Sequence, residues 1–513
     1  MVILKVCGIA TLGLLSLWPA RLEAESRGER ILEVDLQSAI RFALEKNFSI
    51  RAEEFGPKIA KARQKSASGQ FDPVLQFSYT RDQNQQELRS LNSDLEEATP
   101  VPGGETPDLF AISKGNVADS SIAGLAPWGL TYDLGASVSW DESNQRDPAF
   151  TRYDSFLGLG ITQPLLRNFG TGVNLAGIRI ARADRAISGW QLRAEVIDIV
   201  TETIRIYSEL CFSIENLAVE LRSRDLAAQL VSDNSKRAEI GVMAPLDVLQ
   251  ARSDLAAREE RVLVAARAVA DNENFLKQLI TDEIVTILGT RVRPAPPQLP
   301  EVPNVDREKD FARAFDLRPD YREALLDIQK RQINVVFTRN QALPRLDLVG
   351  SLGLNGIDKD FASSFERVSG QANNNLAWNV GAIFSVPIPN REAAGNLEAS
   401  KLQIAQALVS LKRLEQSILV EADNAAGQVE TTRKRIESGR LARELAEATL
   451  SAGQARLASG TTTTFEVLQF QRDFAAAEVN ELRARADHII AIAEYARRIG
   501  ATLERSRIFL EGD

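Results

Sequence analysis

Two halves of this chain repeat one another in order, and that duplication limits the fold more than any other feature. ALEKNFSI at residues 43–50 leads into QFDPVL at 70–75, and AFDLRPDY at 314–321 leads into ALPRL at 342–346. Ala43 and Ala314 are 271 positions apart, as are Pro73 and Pro344, so the register holds across the helix-like stretch between them. Later, QPLL at 163–166 and VPIP at 386–389 each close a strand-like stretch. GVMAPLDVLQ at 241–250 then answers GTTTTFEVLQ at 460–469 with an offset of 219. Pro73 and Pro164 are 91 positions apart and Pro344 and Pro387 are 43 apart, so the first copy carries 48 extra residues. The Gly/Pro/Ser/Asn-rich stretch around residues 82–127 is the predicted insertion.

Each copy reads as helix, strands, helix, turn, helix. No proline falls between Pro164 and Pro245, and none follows Pro389, which permits very long helices. In the second copy Ile404, Leu408, Leu411, Glu415, Ile418, Ala422, Ala425, Val429, Thr432 and Ile436 keep the alternating four and three spacing of a heptad seam, interrupted by one charge. The first copy repeats this with Val196, Val200, Thr203, Tyr207, Leu210, Ile214, Leu217 and Leu221. A helix filling residues 392–459 would be about 100 Å long and needs helical neighbours.

The strand candidates alternate with period two. They are Leu130, Tyr132, Leu134, Ala136, Val138 and Trp140; Leu157, Leu159 and Ile161; Leu346 and Leu348; and Val380, Ala382 and Phe384. The prolines at 73, 164, 344 and 387 sit where helix and strand would meet, where a missing N–H costs least. The second copy has room for one up-and-down pair, and the first for one pair plus a hairpin turning at Pro127, Trp128 and Gly129. So few strands cannot close a barrel, so a membrane location requires several copies.

The first 24 residues have the pattern of a secretory signal peptide: Lys5, an apolar run from Val6 to Trp18, and a short polar end at Ala24. No later segment has the run of about 18 apolar residues that a membrane-spanning helix needs, so membrane entry would have to use strands. The net charge of −9 and the dispersed basic residues argue against nucleic acid as a partner. One histidine, His488, and one cysteine beyond the leader, Cys211, leave no zinc set and no nucleophile pair, so neither a cofactor nor a catalytic residue is expected. Both side chains are read as packing or surface residues. A secreted enzyme is disfavoured for lack of a phosphate-cradling glycine loop or a nucleophile elbow. A periplasmic coiled-coil scaffold without a channel explains the heptads and leader, but gives the strands and their bracketing prolines no role.

Taken in order, ALEKNFSI and FDLRPDY, QPLL and VPIP, and the paired turns at 241–250 and 460–469 resemble the outer-membrane efflux proteins of the TolC type. The resemblance covers almost the whole mature length. It implies a mainly α protein with a transmembrane β part, two structural repeats per protomer, in a homotrimer. Each protomer would give about four strands to a shared barrel of roughly twelve, continued by a long α-helical coiled-coil barrel. The implied function is an exit duct of a tripartite efflux or type I secretion system. It would be embedded in outer-membrane lipid and docked to a periplasmic adaptor and an inner-membrane pump. The domain plan that follows is a leader at residues 1–24, a first repeat at 25–290, a Pro-rich linker at 291–305, a second repeat at 306–502 and a tail at 503–513.

Carried over by position, the narrow periplasmic end lies at residues 241–247 and 460–466. Gly241 and Gly460 permit the turns, and Val248, Leu249, Val467 and Leu468 restart the packing and are the expected adaptor contacts. Asp247, Glu466 and Gln469 are the expected aperture residues, with Gln469 replacing a family acid and Thr462 replacing the family arginine that locks neighbouring protomers.

Overall fold

The computed structural model describes residues 31–87, 110–143, 150–241, 244–296, 306–370 and 375–508; the leader and most of the Pro-rich stretch lie outside these. The first repeat opens with β1 (Ile31–Val34), α1 (Leu36–Lys46), α2 (Phe48–Glu53) and α3 (Phe55–Ser68). Four strands follow: β2 (Val74–Glu87), β3 (Phe110–Leu125), β4 (Thr131–Ser143) and β5 (Phe150–Pro164). It continues with α4 (Thr171–Asn174), the 64-residue α5 (Ala176–Glu239), α6 (Pro245–Ile280), α7 (Ile284–Ile287) and β6 (Arg291–Pro294). The second repeat is α8 (Arg307–Leu317), α9 (Pro319–Gln341), β7 (Arg345–Asp358), α10 (Phe361–Gly370), β8 (Leu376–Ser385), the 68-residue α11 (Arg391–Ala458), α12 (Thr464–Arg498) and α13 (Thr502–Arg505). At about 1.5 Å per residue, α5 and α11 are each near 100 Å long.

Neither long helix stands alone. Against α5 lie α3 and α6, and against α11 lie α9 and α12, while α9 and α12 also touch α5 and knit the repeats together. The heptad seams are the buried faces: Val200, Thr203, Tyr207 and Leu210 are fully covered in α5, and Ile418, Ala422, Val429 and Thr432 in α11. The charged interruption, Glu415, accepts from Lys412 at 2.7 Å and from the Tyr321 hydroxyl at 3.4 Å.

The repeated openings become the joints between helices. Asn47 ends α1 and caps α2, accepting from the Ser49 N–H at 2.8 Å. At the matching joint Arg318 precedes Pro319, the first residue of α9, and pairs with Asp320 at 2.7 Å and Glu421 at 3.0 Å. A parallel ladder pairs β1 with β6, so the Pro-rich stretch begins as a paired strand rather than free linker. The Tyr207 hydroxyl donates to the Ala295 carbonyl at 2.6 Å. Beyond the second repeat, α13 buries Leu503 against Ile197 and Val200, which anchors the start of the expected tail.

The sheet corrects the strand number that the resemblance implies and agrees with the pairs read from the two copies. Among the described residues six antiparallel strands in the order β2-β3-β4-β5-β7-β8 come from one chain, two more than the four the resemblance implies and as many as one pair in the second copy with one pair and a hairpin in the first. The extra pair arises because residues 82–87 and 110–125 of the insertion are strand, joined to β4 through the tight turn at Pro127, Trp128 and Gly129. Only residues 88–109 of that insertion lie outside the described structure.

Candidate functional site

The register gives the sheet two unlike faces. Leu75, Phe77 and Tyr79 of β2 lie level with Ile122, Ser120 and Ala118 of β3, and these with Leu134, Ala136 and Val138 of β4. The same face continues through Leu159 and Leu157, then Leu352 and Leu354, to Trp378 and Leu376. It stays exposed: Phe77 is 73% accessible, Leu352 51% and Val380 70%. The opposite face carries Gln76, Ser78, Asp119, Ser121, Asp133, Ser137, Asp154, Thr162, Ser351 and Asn379. Along one end of the apolar face runs an aromatic row: Tyr79 to Trp140 at 6.0 Å, Trp140 to Tyr153 at 6.2 Å, Tyr153 to Phe361 at 6.3 Å between ring centres. An apolar band edged by aromatics over a polar reverse face suits a sheet between lipid and water. Among the described residues no helix is long and apolar enough to cross a membrane.

At the far end from the sheet lie the two helix turns. Salt bridges Asp198–Arg497, Glu209–Arg483 and Arg222–Glu478 step along α5 as α12 runs the other way, so α12 begins near where α5 ends. The second turn is a Schellman end: Gly460 at φ +73° donates to Leu457 at 3.1 Å and Thr461 donates to Arg456 at 2.9 Å. Thr463 then caps α12, its hydroxyl accepting from the Glu466 N–H at 3.3 Å. Thr462 donates its hydroxyl to the Glu466 carboxylate. The first turn also uses a glycine, Gly241 at φ +77°, and restarts with Pro245 at the first helical position.

The turn residues divide by exposure. Asp247 and Glu466 both stand in the first turn of a helix, where a negative charge meets the positive end of the helix dipole. Glu466 and Gln469 are exposed and Asp247 half-buried. Val467 and Leu468 are buried, Val248 is half-buried and Leu249 is 64% exposed. The apolar side chains presented at the turns are instead Leu249, Ile240, Leu246 and Phe465, the last three not singled out from sequence. Only helical phase, fixed by packing, separates them from their neighbours.

One internal site, at Arg258, escaped the sequence reading, while His488 and Cys211, read there as packing or surface residues, are both buried. Arg258 in α6 is wholly buried, donating to Asp254 at 2.6 Å and to the Ser223 carbonyl and hydroxyl at 2.9 Å; its Nη2 has no partner among the described residues. Burial holds its guanidinium below the usual range. His488 is buried with Nδ1 2.9 Å from the Thr432 hydroxyl, which itself donates to the Gln428 carbonyl at 2.8 Å. Nδ1 therefore carries the proton, and burial pushes the imidazole pKa down. Burial raises the Cys211 thiol to about 12, an inert packing residue.

A family model described as "Outer membrane efflux protein" matches residues 123–281 and 312–501, one segment in each repeat. The outer membrane efflux protein BepC of Brucella suis is 23% identical over 366 residues, 70% of this chain and 74% of the relative. The crystal structure of the Campylobacter jejuni CmeC outer membrane channel superposes with a TM-score of 0.65 at 16% identity, over 91% of this chain and 86% of that one. The outer membrane protein VceC of Vibrio cholerae gives 0.63 at 16% identity, over 91% and 96%. With both repeats matched by one model and the fold shared over 91% of the chain, this chain belongs to the outer membrane efflux protein family, as an outer-membrane channel with its helical part in the periplasm.

Proposed function

We propose that three copies close one barrel of eighteen strands, β8 of each pairing with β2 of the next, and that the trimer is the exit duct of a tripartite efflux assembly. The observation that carries this is the pair of bare edges. Among the described residues strands β2 and β8 each have one unpaired side, in a sheet whose apolar face is exposed to match lipid. An open edge in hydrocarbon costs several kcal/mol per unsatisfied group, so closure must come from further copies. Three protomers also place α5, α6, α11 and α12 of each around one axis, which suits a tunnel.

In this reading the aperture lies where Asp247, Glu466 and Gln469 gather by threefold symmetry, and the turns dock a periplasmic adaptor that links to an inner-membrane pump. In the same reading the buried Val467 and Leu468 hold their helix in place, and the exposed Ile240, Leu246, Leu249 and Phe465, with the turns at Gly241 and Gly460, would form the docking surface. Exposed aliphatic and aromatic side chains at helix ends suit an apolar helical partner. The scaffold alternative leaves the two-faced sheet idle.

The test is native mass spectrometry in mild detergent together with cysteine pairs across β8 and β2, for example at Val380 and Phe77. Trimers with cross-links between copies are expected. A monomer, or a trimer that never cross-links through these edges, would sink the shared barrel.

A further inference from the structure

We propose that α10 is a lipid-anchoring helix that rests on the outside of the barrel and embeds Phe361 and Phe365 in the outer leaflet. The inference goes beyond the export function and does not depend on how many copies close the barrel.

The helix is fixed in place by its own sequence. Asp360 caps it, accepting from the Ser363 N–H at 3.1 Å, and Arg367 ties it back to Asp358 at 2.8 Å. Its inner side sits on the strands: the Ser155 and Ser364 hydroxyls are 2.7 Å apart, and Val368 is buried. Gly356 makes this possible, since a Cβ there would overlap the Ser364 carbonyl. Ser155 and Gly356 are cross-strand partners on the face that carries Leu157 and Leu354, so α10 covers the apolar side of the sheet, not the polar one.

The rest of the helix is divided. At 100° per residue Ser364, Val368, Phe361 and Phe365 occupy one arc, and Ser363, Glu366 and Arg367 the other. Inside the apolar arc, Val368 and Ser364 are covered by the strands, whereas Phe361 and Phe365 are 51% and 50% exposed. Phe361 continues the aromatic row through Tyr153. Two half-exposed phenylalanines, continuous with a lipid-facing band and its aromatic border, on a helix whose reverse is polar, fit the acyl–headgroup boundary of a bilayer. The helix lies against β5 and β7, inside the sheet rather than at its bare edges, which favours lipid over a neighbouring copy.

The channel would be prepared in a Cys211→Ala background, as Phe365→Cys or as Glu366→Cys, labelled with an environment-sensitive fluorophore. Each would be reconstituted in phosphatidylcholine vesicles with or without brominated acyl chains. The expected result is a blue-shifted probe at 365 that loses most of its emission to brominated lipid, with a probe at 366 that keeps most of its own. Adding Gly356→Val, which displaces α10, should abolish the quenching at 365 while oligomers still form. A probe at 365 in a polar environment would overturn the proposal, and so would one that is blue-shifted but unquenched, because the second outcome means a protein neighbour covers the helix.

Discussion

Gly460 and Gly500 have nearly the same backbone conformation, φ +73° and +74°, in very different surroundings, so alanine at each isolates what a helix turn costs from what a packed joint costs. Around Gly460 a Cβ would meet nothing within 4 Å. Gly460→Ala therefore incurs the left-handed penalty of about 1–2 kcal/mol, partly offset by about 0.5–1 kcal/mol from a stiffer unfolded chain. At Gly500 the same Cβ would lie 2.8 Å from the Leu317 Cβ, 2.9 Å from the Leu317 carbonyl carbon and 3.0 Å from the Arg318 N. Two of these are backbone atoms at the α8–α9 joint, where Arg318 is tied to Asp320 and Glu421, so relief requires moving that joint. Overpacking of this kind adds about 1–3 kcal/mol, for a total near 2–4 kcal/mol. Guanidinium unfolding of purified channel in detergent, followed by helical circular dichroism, should put the Gly500→Ala midpoint well below that of Gly460→Ala. Export in cells reads the turn separately: Gly241→Val and Gly460→Val should impair transport more than they reduce assembled channel. Equal midpoint losses for the two alanine variants would refute the packing argument, and parallel losses of export and assembly would make the tips ordinary folding turns.

Because the unfolded imidazole binds a proton near pH 6.5 and the buried His488 resists it, stability should fall as pH drops below that value, by at most about 1.4 kcal/mol per pH unit; His488→Gln should flatten this part of the unfolding profile. Truncating Arg258 leaves Asp254 and the Ser223 carbonyl without their donor, so Arg258→Ala should cost about 3–5 kcal/mol in denaturant unfolding, and Arg258→Met with Asp254→Leu should recover much of it. In planar-bilayer recordings Glu466→Gln should weaken cation preference and Glu466→Lys reverse or abolish it. Thr462→Val should leave that preference in place, because it removes a hydroxyl from the carboxylate and not the charge.

The long helices were legible because their signals are local: proline-free runs, heptad seams and glycines past the helix ends each mark one element. The alternating strands were legible where the apolar face carries large side chains, as in Leu134, Val138, Leu157 and Val380. Strand β3 was announced only by the expected hairpin at Pro127, Trp128 and Gly129, because Ala118 and Ser120 beside Ile122 make its outward face mostly small or polar and because Gly115 and Gly124 interrupt it. The sheet repairs the latter by laying Tyr132 across Gly124, a cross-strand contact that no window of β3 contains. The candidate turns were found by position, but their exposure was not. Val467 and Leu468 match Val248 and Leu249 in sequence, yet α12 packs between α11 and α5 while α6 leaves Leu249 uncovered. Nothing in the sequence around Arg258 marks it, since the group that makes it special, the Ser223 carbonyl, comes from α5, 35 residues away.

The extra hairpin alters the sheet without altering the helices, and this separates two properties of the proposed duct. Strand β2 still follows α3, and β5 still leads into α4 and α5, so both connections to the helical part are preserved while two strands are spliced between them. Barrel diameter grows roughly in proportion to strand number, so eighteen strands would make a barrel about half again as wide as twelve. The number of helices per protomer around the tunnel is unchanged by the insertion, and the turns at its far end, with Gly241 and Gly460 in open space, are untouched by it. In that proposed duct the added width would fall at the outer opening, where lipid and the medium meet the protein, whereas the narrowest passage would stay with the residues of the turns. Selection by size or charge would therefore rest on Asp247, Glu466 and Gln469 rather than on the strands, and the insertion is better read as a change in how the channel sits in its membrane than in what it lets through.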